Sequence, residues 1–138
     1  MTRMSRNLIA MAALLGPIVG DPVEVDFAAL SDFVFKPGMA LPAHVTKLDK
    51  VSIRISGFMA REDGGDGPTE YFLLINDACG CQGTPKLNEI LFCAMPPGQT
   101  TTVLPGTVHV IGTMYVGEVE EDGAVVALYC VDVDRIEP

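Results

Sequence analysis

The chain has 138 residues, 49% of them hydrophobic and 20% charged, enough apolar content for one folded domain and too much for general disorder. Nine basic against eighteen acidic residues give a net charge of -9, which opposes binding to nucleic-acid phosphate or to an anionic membrane surface. Fourteen Gly, ten Pro and no Trp argue against long helices and for a turn-rich β domain.

Arg3 and Arg6 precede an apolar stretch, Leu8 to Gly20, and Asp21, Pro22 and Glu24 then turn the chain polar. This is the pattern of a signal peptide, with cleavage expected near Gly20. At 13 residues, interrupted by Pro17, the stretch is too short to cross a hydrocarbon layer of about 30 Å as a helix. The competing reading is an apolar N-terminal helix packed on the domain. The expected organisation is therefore a signal-like segment over 1–20, a helix and linker over 21–50, and a β domain over 51–138. The location expected is the periplasm or cell envelope, with no membrane span after cleavage.

Asp26 can cap a short helix running through Ser31, since Phe27, Leu30 and Val34 recur at helical spacing. Lys36 to Pro42 reads as loop. From Val51 the period becomes two: Val51, Ile53 and Ile55 alternate with Ser52, Arg54 and Ser56, a half-buried strand in which Gly57 marks a bulge or a close backbone approach. Arg61 to Thr69 is a hairpin loop that composition makes flexible, and Glu70 to Ile75 is a short apolar run read as a central strand. Asn76 to Lys86 forms a loop before strand Glu89 to Met95, which Pro96, Pro97 and Gly98 stop. Thr107 to Val116 is a strand bent at Gly112, Glu118 to Gly123 is an acidic turn, and Asp122-Gly123 is a strong hairpin signal. The last strand, Ala124 to Val133, presents Val125, Ala127, Tyr129, Val131 and Val133 on one face and Leu128, Cys130 and Asp132 on the other. The fold predicted is mostly β: a small five-stranded OB-like barrel or a compact sandwich, with a short N-terminal helix.

Several segments in this order resemble the uncharacterised bacterial family called domain of unknown function 3299. They are Val51 to Met59 with Ser56 inserted before Gly57, Phe72-Leu73-Leu74, Cys79 through Pro85 with Asn88 and Glu89, Gly112-Thr113, Val116-Gly117-Glu118, and Leu128-Tyr129. The resemblance runs over residues 26–137 and implies an exported β-rich domain of unknown activity. The chain departs from the pattern at the cysteine loop, where relatives carry two adjacent cysteines and this sequence reads Cys79-Gly80-Cys81.

Four cysteines in a small exported chain suggest disulfides, with three connectivities available. Cys93 and Cys130, both on predicted strands, are the candidates for a bridge across the sheet. Cys79 and Cys81, one residue apart on a loop, could reach a soft ion such as zinc or copper(I), with Cys93 or Asp77 as a third ligand. The same two thiols could instead form a strained, reducible disulfide of a thiol-redox protein, although no Lys or Arg stands beside them to lower a thiol pKa. Pro85, Asn88 and Glu89 are expected to structure this loop, Asn88 by bonding its own backbone. His109 reads as a half-buried strand residue and His44 as solvated. No G-x-S-x-G, phosphate-binding or H-E-x-x-H motif is present, and the acidic turns read as solvated. These residues point to a non-enzymatic binding or accessory module with the Asn76 to Glu89 loop as its functional face, either holding a soft metal through Cys79 and Cys81 or acting as a disulfide-stapled interaction domain for a protein partner in the cell envelope, and otherwise to a thiol-redox protein using the same two cysteines.

Overall fold

Period-two alternation from Val51 onward is realised as long paired strands in a computed structural model, which describes residues 21–76 and 83–138. The segment 1–20 and the loop residues Asp77, Cys79 and Cys81 lie outside the described residues. In chain order the elements are β1 (Val23–Val25), α1 (Phe27–Leu30), α2 (Ala43–Thr46), β2 (Val51–Ala60), β3 (Tyr71–Ile75), a single 3-10 turn (Leu87–Glu89), β4 (Ile90–Ala94), β5 (Thr107–Glu121) and β6 (Ala124–Glu137). The fold is mostly β, as expected. No helix among the described residues is long and apolar enough to cross a membrane.

The strands form one mixed sheet whose hydrogen bonds run in a ring. β2 pairs antiparallel with β3, β3 with β4, β6 with β5, and β5 back with β2, while β4 and β6 pair in parallel. β1, which the sequence did not reveal as a strand, lies parallel to the first half of β2, from Val23↔Ile53 to Val25↔Ile55. The second half of β2, Phe58 to Ala60, turns instead to β3. Between the two halves stands Gly57, where a Cβ would come within 2.8 Å of the Ile75 carbonyl oxygen and 3.0 Å of the Phe27 ring. Its register with β5 is unbroken, so Gly57 marks a close approach and no bulge. At Gly112 a Cβ would collide with the Asp132 carbonyl, and the β5–β6 register shifts between Ile111 and Gly112. The predicted bend is a β-bulge.

The inward residues of the ring include Ile53, Ile55, Leu74, Leu91, Val110 and Tyr129, and Phe27, Leu30, Val45 and Leu48 pack onto the same cluster. Burying a side chain of this size contributes roughly 1.5–3 kcal/mol before entropy is counted. Asp26 caps α1 as expected, its Oδ1 accepting the Ala29 N–H at 2.9 Å. At the other end of that helix the Tyr129 hydroxyl donates to the Leu30 carbonyl at 2.7 Å, satisfying an acceptor that so short a helix leaves over.

Two local expectations are corrected. Glu118 to Glu121 belongs to β5, and only Asp122 (φ 53°) and Gly123 (φ 82°) make the turn, both in the left-handed region that a two-residue hairpin requires. β6 supplies backbone partners out to Glu121, so the solvated side chains there do not prevent pairing. The linker before Val51 holds α2, a helix the sequence did not reveal; His44 on it is exposed, as expected, and its Nε2 lies 3.0 Å from both the Ala29 carbonyl and Asp32 Oδ1, tying α2 to the end of α1.

Candidate functional site

Alternation decides what the outer face of the sheet carries. Phe72 and Leu74 of β3, Leu91 and Cys93 of β4, and Val131 and Val133 of β6 point into the core, so Tyr71, Leu73, Phe92, Ala94, Cys130 and Asp132 face outward. Strand register lines these up in two rows, Tyr71↔Ala94↔Asp132 and Leu73↔Phe92↔Cys130. The middle residue of the first row is small. With neighbouring strands about 4.8 Å apart, the Tyr71 and Asp132 backbones stand about 10 Å apart over Ala94, and the depression between them opens into a groove of about 500 Å³.

Arg61, Glu62 and Asp63 line the groove at the start of the loop joining β2 to β3. Arg61 is the organiser of that loop. Its Nε and Nη2 donate to the two Asp63 carboxylate oxygens at 2.9 and 2.8 Å, and its Nη1 donates to the Gly67 carbonyl at 3.0 Å. The Gly65 N–H also donates to Asp63, at 2.9 Å. These bonds, the Arg61 pair foremost, push the Asp63 pKa down to about 2. A segment that composition marks as flexible is thus clamped at its first residue. Because Asp63 meets the Arg61 charge, Glu62 and Asp132 leave the groove with an acidic rim, and no ion pair holds either of them among the described residues.

The sequence-predicted cysteine pair does not come together. Cys93 and Cys130 are both free thiols on adjacent strands. Cys93 pairs in register with Val131 and is buried in the core, whereas Cys130 pairs with Phe92 on the outer face. The parity of the two strands therefore sends the side chains to opposite sides of the sheet, and the expected staple is absent. Burial pushes both thiols up, Cys93 far beyond the usual thiol range and Cys130 with a further contribution from Asp132. Burial in the core disfavours the Cys93 thiolate, the form that acts as nucleophile. Among the described residues no three His, Cys, Asp or Glu side chains are grouped to hold a metal ion. Asp77, Cys79 and Cys81 lie outside those residues.

Next to that loop, Asn88 is 3% exposed and its Nδ2 donates to the Phe33 carbonyl at 2.7 Å. It bonds a carbonyl 55 positions away and not its own backbone, so it pins the segment after α1 against the 3-10 turn. Glu89 accepts the Lys86 N–H at 2.8 Å at the start of the same turn, and Pro85 just before it is half-buried. Ser31 to Phe35 and Lys86 to Glu89 together border a second hollow of about 610 Å³. His109 is a half-buried strand residue, its Nδ1 lying 2.6 Å from the hydroxyl of its cross-strand neighbour Ser56.

The outer groove was not foreseen from the sequence, yet a signal for it exists. Tyr71 to Ile75 and Ile90 to Ala94 are apolar at nearly every position. A strand that covers the core with one face needs only alternate apolar residues, so continuous apolar character announces a second apolar face.

No family model and no curated protein matches the sequence. Among solved structures, a DUF3299 family protein from Pseudomonas aeruginosa PAO1 aligns with a TM-score of 0.56 at 18% identity, over 86% of this chain and 97% of that one. A chain named as an aspartyl-tRNA synthetase in Leishmania major Friedlin aligns at a TM-score of 0.41 and 13% identity, over 88% of this chain and 22% of that one, too slight a likeness to bear on fold or function. The fold assembled by these strands therefore resembles that of a protein from the domain of unknown function 3299 family.

Proposed function

We propose that the protein is an exported, non-enzymatic binding module, an OB-like barrel whose ligand site is the groove over Ala94. The observation that carries this reading is where the groove lies in the ring. Counted around β2, β3, β4, β6 and β5, the order and the parallel β4–β6 contact agree with a five-stranded Greek-key barrel. In such barrels the outer face of the second and third strands, with the loop between the first and second, is the usual ligand platform. Here those strands are β3 and β4, and Arg61 to Asp63 of the first loop line the same groove. The acidic rim and the net charge of -9 disfavour nucleic acid in spite of the aromatic pair Tyr71 and Phe92. Export is supported by Arg3, Arg6 and the apolar run Leu8 to Gly20.

A fragment screen followed by amide NMR tests the site. Binding fragments should shift amides of Tyr71 to Leu73, Phe92 to Ala94 and Cys130 to Asp132, and Ala94→Trp, which fills the depression from outside the core, should abolish those shifts. Fragments that shift only other amides would overturn the groove as the site. The intact mass of protein exported by a bacterial host tests the rest: loss of residues 1–20 is expected, and an uncleaved chain would overturn the export reading.

A further inference from the structure

We infer that the groove takes a small organic cation with an apolar or aromatic body, an inference that rests on the groove being a ligand site. Size comes first. A volume of about 500 Å³ falls within the roughly 300–1,000 Å³ of small-molecule sites, while a handful of outward side chains falls well short of the 20–30 residues that each side of a stable protein interface contributes. Chemistry comes second. Tyr71 is 68% exposed, and Phe92 is its diagonal neighbour two residues before Ala94 on β4. Diagonal positions on a sheet face lie about 7–8 Å apart, room for one group between two rings whose π faces attract positive charge.

Charge decides the sign. Asp132 is the register partner of Ala94 on the far wall, and Glu62 stands on the rim. The single cation in the lining, Arg61, is already spent on Asp63 and the Gly67 carbonyl. An anion entering here meets two carboxylates and no free donor of positive charge. An apolar cation gains burial of its body over Ala94 and Leu73, contact with the rings, and the attraction of Asp132 and Glu62.

The test uses three single-ring probes of different charge, benzyltrimethylammonium, the smaller neutral benzyl alcohol, and toluenesulfonate, which matches the cation in size, titrated into the full chain and read from the amides of Tyr71 to Leu73, Phe92 to Ala94 and Cys130 to Asp132. Benzyltrimethylammonium should bind about tenfold more tightly than toluenesulfonate, the effect expected of a cation–π contact with two screened carboxylates. The preference should shrink to about threefold or less in Asp132→Asn combined with Glu62→Gln, two exposed positions whose change leaves the remaining amide spectrum in place. If toluenesulfonate or benzyl alcohol binds the same amides as tightly, the cation assignment is overturned while the groove stands as a ligand site. If none of the three shifts those amides, and the fragment screen shifts none of them either, the ligand-site reading falls together with it.

Discussion

Removing one oxygen from the core, in Tyr129→Phe, isolates the bond that holds α1 on the sheet. The Tyr129 hydroxyl donates to the Leu30 carbonyl at 2.7 Å, and both residues are 0% exposed. The substitution leaves that carbonyl without a partner and without water, which costs about 1–3 kcal/mol. For a domain of this size the melting temperature should fall by roughly 3–6 °C for each kcal/mol. The pH dependence supplies a second reading. Burial first and Asp32 second raise the Tyr129 pKa above the ordinary value of 10.0, so the folded hydroxyl stays protonated where the unfolded one ionises. The stability it contributes is complete below about pH 10 and is lost as pH rises above it. Urea unfolding followed by far-ultraviolet circular dichroism, at pH 7 and at steps up to pH 11, should show wild type ahead of Tyr129→Phe by that margin at neutrality and the gap narrowing in alkali. Equal stability at pH 7, or a gap that stays constant to pH 11, would refute the argument.

Gly112→Ala forces a methyl group into the Asp132 carbonyl at the bulge, and urea unfolding should register a loss of about 2–3 kcal/mol; a loss under about 0.5 kcal/mol would mean the bulge relaxes freely. Asn88→Ala should cost about 1–2 kcal/mol and raise amide exchange over Ser31 to Phe35 while the ring strands keep their protection; uniform loss of protection would place Asn88 in the cooperative core. Carbon NMR of the carboxyl groups should find Asp63 titrating at about 2, so that its contribution, present above its ordinary 3.8, is lost only as pH falls toward 2, and Arg61→Lys should raise that value; an Asp63 that titrates near 3.8 would show the Arg61 clamp to be open in solution.

What could be read ahead of the structure was what neighbouring residues decide among themselves. The alternation around Ile53 and Ile55, the Asp26 cap and the Asp122-Gly123 turn are local, and all three are realised. Asn88 sits in a segment whose composition says loop, and only the return of Phe33 from 55 positions away buries it. The cysteine staple failed on parity: Cys130 was already on the polar side of its strand, but whether Cys93 faced the same way depended on how β4 aligns with β6. The groove has the same origin. Tyr71, Ala94 and Asp132 are unremarkable one by one, and they make a site only because three strands meet in one register.

The parallel contact between β4 and β6 also sets the order in which the ring can close. Phe92, Cys93 and Ala94 find their second neighbour in Cys130, Val131 and Asp132, so the ring stays open until β6 is in place. Before then Leu74 and Leu91 have no lid, and the earlier strands hold only part of their hydrogen bonds. Closing the ring joins residues 38 positions apart, a non-local pairing of the kind that forms slowly. Until Ala124 to Glu137 are in place, β4 has only β3 beside it and β5 only β2, so a chain cut before Ala124 presents two open sheet edges, the template on which separate chains pair with one another.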